Sequence, residues 1–134
     1  MASLQRLTEI GFRKVGSWSL VAGAPVFSFE SDSSSTNVLY AFASADEVLY
    51  IGKTTLSLHR RMYGYQRPGP TQHTNIAGRT NISLLLLASR PVDIYALIDG
   101  TAALKHGAFK INLAAGLEDT LIRELQPRWN KVGK

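Results

Sequence analysis

The spacing of apolar residues changes period several times along the chain, and the changes mark its elements. A segment from Leu4 to Phe12 has helical spacing, and "SWSLVAG" and "PVFSFE" then alternate apolar and polar residues as half-buried strands do. Ser31 to Asn37 is a serine-rich solvated loop. Two β-rich runs, "NVLYAFAS" and "EVLYIGKT", flank a turn at "ADE" and predict an antiparallel hairpin. Beyond it, Thr54 or Thr55 is placed to cap a helix through "LSLHRRMYGY". At helical spacing Leu58, Arg61, Met62 and Tyr65 share one face and Arg60 lies nearly opposite, so Arg61 is expected to point inward and Arg60 outward. "RPGPTQHTN" carries Pro68, Gly69 and Pro70 and predicts an exposed loop. "NISLLLLAS" predicts a buried helix, with a strand as the alternative for so short an apolar run. "PVDIYALI" predicts a strand opened by Pro91, and "TAALKHGAFKI" an irregular connection. A last helix, started by Asn112, runs through "LAAGLEDTLIREL" until Pro127 ends it.

With 134 residues the chain suits one compact domain, and without cysteine it holds neither a disulfide nor a thiolate zinc site. His59, His73 and His106 have no metal-ligand spacing. The N-terminus lacks the pattern of an export signal, and no run approaches the ~20 apolar residues of a membrane span, so a cytoplasmic protein is expected. The formal charge is +5, and its distribution matters more than its sum. From Val48 to Val92 the chain carries Lys53, Arg60, Arg61, Arg67, Arg79 and Arg90 and no acid. A positive field of that kind attracts a polyanion, with phosphate as the first candidate.

In the last helix Glu118 aligns with Ile122 and Leu125, which puts a carboxylate at the edge of an apolar face. Such a group is a boundary residue, a partner of the helix dipole, or a ligand for a hard divalent cation. Tyr40 and Tyr50 alone would pass for core tyrosines, and Lys53, directly after Gly52, for turn chemistry.

The order of these features is more specific than any one of them. V-L-Y is followed, with nine residues between the tyrosines, by Y-I-G-K-T. Then come a helix bearing L-x-x-R, a distant helical Glu, and a Pro and an Asn, the Asn twelve residues after that Glu. This arrangement resembles the GIY-YIG nuclease family over Asn37 to Val132. Tyr40 and Tyr50 match the motif tyrosines, Gly52 and Lys53 the residues that follow, and Glu118 and Asn130 the family glutamate and asparagine. Arg61 matches the family arginine, three residues after Leu58 and four before Tyr65. Strict counting from Gly52 selects Arg60, so a one-residue insertion is inferred. Val38-Leu39 replaces Gly-Ile, which keeps strand character.

The resemblance implies an α+β fold in which a small antiparallel or mixed sheet of three core strands is flanked by helices. Residues 37–134 would form the nuclease domain, and residues 1–36 an extension that lengthens the sheet or covers its edge. It implies a DNA endonuclease in which Tyr40 activates water, Arg61 binds the scissile phosphate and Glu118 binds one divalent metal. Tyr50 and Tyr65 would orient phosphate or water, Lys53 would lower the Tyr40 pKa, and Asn130 would buttress the site. One carboxylate with several waters suits Mg²⁺ or Mn²⁺ rather than zinc. Arg60 and Arg67 are expected on DNA, and Gln72, Asn75, Arg79 and Asn81 have the donors and acceptors that base edges use. A compact restriction endonuclease, acting as a homodimer, is the preferred subclass. A structure-selective repair or recombination nuclease and a catalytically idle DNA-binding module are the alternatives.

Overall fold

The computed structural model describes residues 1–98 and 105–131. Its centre is a five-stranded sheet in the order β2-β1-β5-β3-β4, formed by β1 (Arg13–Val21), β2 (Ala24–Phe29), β3 (Val38–Ser44), β4 (Glu47–Thr54) and β5 (Val92–Leu97). All four pairings are antiparallel. The N-terminal hairpin joins through β1 to β5, so residues 1–36 supply two of the five strands. The fold is α+β, as the order of elements implied.

Helices cover both faces. β3 is buried at every position because it runs between β4 and β5 and under helices on both sides. Val38, Tyr40 and Phe42 point to one core, shared with Trp18, Val92, Ile94, α2 (Leu58–Gln66) and α3 (His73–Leu87). Leu39 and Ala41 point to the other, shared with Ile51, Leu97, α1 (Ser3–Thr8) and α4 (Leu113–Leu125). This is the period of two that separates the faces of a strand. Among the described residues no helix is long and apolar enough to cross a membrane.

Several boundaries differ from the expected ones. The first helix stops at Thr8, and the chain turns at Gly11 before Phe12. The cap of α2 is Ser57, whose side chain accepts from the Arg60 N–H; Thr54 instead closes a turn with Leu56. α3 begins at His73, so Asn75, Arg79 and Asn81 lie on a helix and only the stretch around Pro68–Gln72 is loop. That start was hidden because the inward line of its first turns is Asn75, Gly78 and Arg79, and apolar residues take over only at Ile82. Nor is its leucine run fully buried, since Leu84 and Leu87 are 61% and 65% exposed. Where an irregular connection was expected, Lys105–His106 and Phe109–Lys110 form a minimal hairpin, β6 and β7; residues 101–104 lie outside the described residues.

Candidate active site

α2 packs against α3 and β2 and brings Arg61 against Tyr40. Leu58, Met62 and Tyr65 are buried on the inward face of α2, and Arg61 emerges half-buried between them. Its Nε donates to the Tyr40 hydroxyl at 3.0 Å and its Nη2 to the Tyr65 hydroxyl at 2.8 Å. Its Nη1 donates to Asn75 Oδ1 at 2.8 Å. The two hydroxyls share a hydrogen bond of 2.6 Å, and the guanidinium carbon sits 4.2 Å from the centre of the Tyr65 ring. Three planar groups thus fix the guanidinium while leaving one N–H on each Nη uncommitted. Arg60, by contrast, is exposed.

Every partner of Arg61 is neutral. Among the described residues the ion pairs involve Arg13, Lys14, Arg123 and Arg128, and none involves Arg61. Burial opposes its charge, but the oxygens of Tyr40 and Tyr65 outweigh that and hold its pKa above the ordinary arginine value.

The tyrosines respond in the opposite sense to the expected one. Burial, reinforced by Tyr50, pushes the Tyr40 phenol well above the ordinary tyrosine value, and Arg61 offsets this only in part. Tyr65 moves in the same direction, again chiefly by burial. The cation beside Tyr40 is therefore Arg61, not Lys53. Lys53 pairs with Leu39, whose side chain enters the opposite core, whereas Gly52 pairs with Tyr40. Lys53 consequently stands, exposed, on the α4 side of the sheet. Both phenols are thus neutral in the folded protein at ordinary pH. Because their folded pKa values exceed the unfolded value near 10, the stability they contribute is complete below about pH 10 and falls as pH rises above it. Chemical denaturation followed from pH 8 to 11 should show that fall, and Tyr40→Phe should reduce it.

The Tyr40 ring passes directly over Gly52. A Cβ on Gly52 would stand 2.6 Å from Tyr40 Cζ and Oη and 2.9 Å from the Tyr50 ring. Gly52→Ala is therefore expected to cost about 1–3 kcal/mol by overpacking and to displace Tyr40 from Arg61; a urea titration measures the first effect. Gly78 on α3 gives Tyr65 the same clearance, its Cβ position being 2.7 Å from that ring. Tyr50 stacks on Phe42 with centroids 5.8 Å apart. Asn130 accepts from the Ile51 N–H at 2.8 Å and donates to the Ile51 carbonyl at 2.9 Å, so it seals the edge of β4 beside Tyr50.

Glu118 lies within the inward stripe Ala114, Leu117, Leu121, Ile122 and Leu125 of α4, half-buried, on the opposite side of the sheet from Arg61. Among the described residues no hydrogen bond or ion pair engages its carboxylate, and no group of three acids or histidines gathers to hold a metal. β4 is an edge strand, so Tyr40, Arg61 and Tyr65 flank it on one face and Lys53 and α4 on the other. The structure thus unites Tyr40, Tyr50, Arg61 and Tyr65, and joins Lys53 and Glu118 to them through no direct contact.

The expected base readers are mostly engaged within the protein. Gln72 Oε1 accepts from the Gly69 N–H at 2.9 Å and from Asn75 Nδ2 at 3.1 Å. Arg79 Nε donates to the Gln66 carbonyl at 3.2 Å. Arg60, Arg67 and Gln72 line one open groove on the outer side of α2. A second cleft, about 390 Å³, opens beside Tyr50 and Tyr65.

Comparison of this backbone with solved structures finds nucleases among its matches. Bacteriophage T4 EndoII, solved as a glutamate-to-alanine mutant, superposes with a TM-score of 0.73 at 24% identity, covering 97% of this chain and 99% of that one. The restriction endonuclease HPY188I, solved with product DNA, gives 0.58 at 12% identity, covering 98% of this chain and 83% of that one. The chain shares their fold. No protein-family model and no curated protein matches the sequence.

The shared fold extends through the N-terminal hairpin, which the motif resemblance did not reach. Two members of the site, Asn75 and Gly78, were also not recognised for the parts they play. Their spacing from Ile82 is the one signal that marked them as inward-facing.

Proposed function

We propose that the chain is a divalent-metal-dependent DNA endonuclease of the GIY-YIG type. The observation that carries this reading is Arg61, a half-buried cation held by Tyr40, Tyr65 and Asn75 with no carboxylate among the described residues to balance it. A protein that fixes a guanidinium with neutral groups leaves its charge for an external anion, and a phosphate oxygen fits the two remaining N–H groups. The acid-free stretch from Val48 to Val92 extends the attraction along a phosphate backbone. The nuclease activity named for T4 EndoII and HPY188I agrees with it.

Arg61 would bind the scissile phosphate and stabilise the charge that develops on its oxygens. Tyr40 and Tyr65, buried and neutral at ordinary pH, would hold the guanidinium in place, and Tyr50, partly exposed beside them, would orient phosphate or water by hydrogen bonds. Asn130 and Gly52 would keep β4 in register so that Tyr40 stays over it.

Glu118 suits a hard cation, being a half-buried carboxylate without a partner among the described residues, and a one-carboxylate site leaves the open positions that Mg²⁺ fills with water. Bound there, across edge strand β4 from Arg61, Mg²⁺ or Mn²⁺ would supply positive charge and an acidified water to a DNA strand lying over that edge, which a buried phenol of raised pKa does not provide. Lys53, on the same side of the sheet, would contact the DNA backbone, as would Arg60 and Arg67.

Purified protein is expected to convert supercoiled plasmid to nicked or linear forms with Mg²⁺, and to stop when EDTA is added. Plasmid that stays supercoiled with both Mg²⁺ and Mn²⁺ would contradict the reading.

A further inference from the structure

The cleft beside Tyr50 and Tyr65 has no part in holding the phosphate, yet it adjoins the group that does. Tyr65 lines it with its ring and accepts a hydrogen bond from Arg61 with its hydroxyl. Phe42 lies at its buried end, and Tyr50 and Trp129, both half-buried, also line it. Asn81 adds a polar group from α3. Among the described residues the Asn81 side chain makes no hydrogen bond, whereas Gln72, Asn75 and Arg79 are all engaged. At about 390 Å³ the volume falls within the ~300–1,000 Å³ of small-ligand sites.

We propose that this cleft receives an unpaired nucleobase from the strand whose phosphate is held by Arg61, stacked on its aromatic side chains and read along its edge by Asn81. The inference rests on the endonuclease reading. An aromatic cavity offers stacking to any base, and a free amide supplies a donor and an acceptor to a base edge, a pairing that favours adenine. A base within a duplex is already stacked and cannot enter such a cavity. The occupant must therefore be extruded or come from an unpaired region. This makes the protein a reader of distorted or single-stranded DNA next to the cut. A free nucleotide presents the same base and phosphate, and the experiment separates the two sources.

The test is fluorescence anisotropy of a labelled single-stranded 12-mer without divalent metal, against the same backbone carrying abasic sugars throughout. Wild type is expected to bind the base-bearing strand at least tenfold more tightly. Ala77→Phe, which places a ring in the cleft, and Trp129→Ala, which removes one, should each bring the two affinities closer together, with melting curves showing that both variants fold. Equal wild-type affinity for the two strands would remove the base from the cleft and leave the phosphate reading standing. A preference unchanged in both folded variants would place base recognition elsewhere. A deoxynucleoside monophosphate that competes as strongly as the 12-mer would reassign the cleft to free nucleotide. Failure to bind either strand, or plasmid, would overturn the endonuclease reading as well.

Discussion

Arg61→Ala is expected to slow DNA cleavage by on the order of 10²- to 10³-fold, the loss typical of one electrostatic contact to the charge formed in a transition state. The size follows from the way Arg61 is held. Tyr40, Tyr65 and Asn75 fix the guanidinium before substrate arrives, so little reorganisation remains at the moment of reaction. Arg61→Lys should restore little, because an ammonium cannot reach two tyrosines, an amide and a phosphate as a planar fork does. Arg60→Ala serves as the control from the neighbouring position. Arg60 is exposed on the other side of α2, so its loss should weaken binding and flatten the salt dependence by about one unit without a comparable loss of maximal rate. Single-turnover rates at saturating protein separate the two effects. The reverse pattern would assign the phosphate to Arg60.

Glu118→Gln is expected to abolish cleavage in Mg²⁺ while DNA affinity stays within a few-fold of wild type. Glutamine keeps the shape of the side chain and removes the charge a hard cation needs. Glu118 sits in the apolar stripe of α4 without a partner among the described residues, so the neutral amide should be tolerated and the variant should melt no earlier than wild type. Cleavage at the wild-type rate by this variant would place the metal elsewhere.

The β3–β4 hairpin is legible from two β-rich runs that flank a short turn, and the inward turn of Arg61 from the 58, 61, 62, 65 spacing along a helix. Asn75 was legible as a polar residue but not as the group that holds Arg61, since that bond joins two helices whose packing no local pattern reports. The start of α3 was obscured for a related reason. Its first inward positions serve Arg61 and Tyr65 with an amide and a glycine in place of apolar side chains, so the hydrophobic period begins two turns late. Lys53 is a different case. Alternation along β4 separates it from Tyr50 and Gly52, so strand parity, and not proximity in sequence to Gly52, decides which face it takes. The raised pKa of Tyr40 depends on complete burial under α2 and so required the packed structure.

The measurement that bears most directly on the account is a crystal structure of the Glu118→Gln variant with a DNA duplex and Mg²⁺. A non-bridging phosphate oxygen is expected about 2.7–2.9 Å from the remaining N–H groups of Arg61, with Tyr40 and Tyr65 still holding the guanidinium. DNA bound on another face, with Arg61 still engaged only by Tyr40, Tyr65 and Asn75, would contradict it.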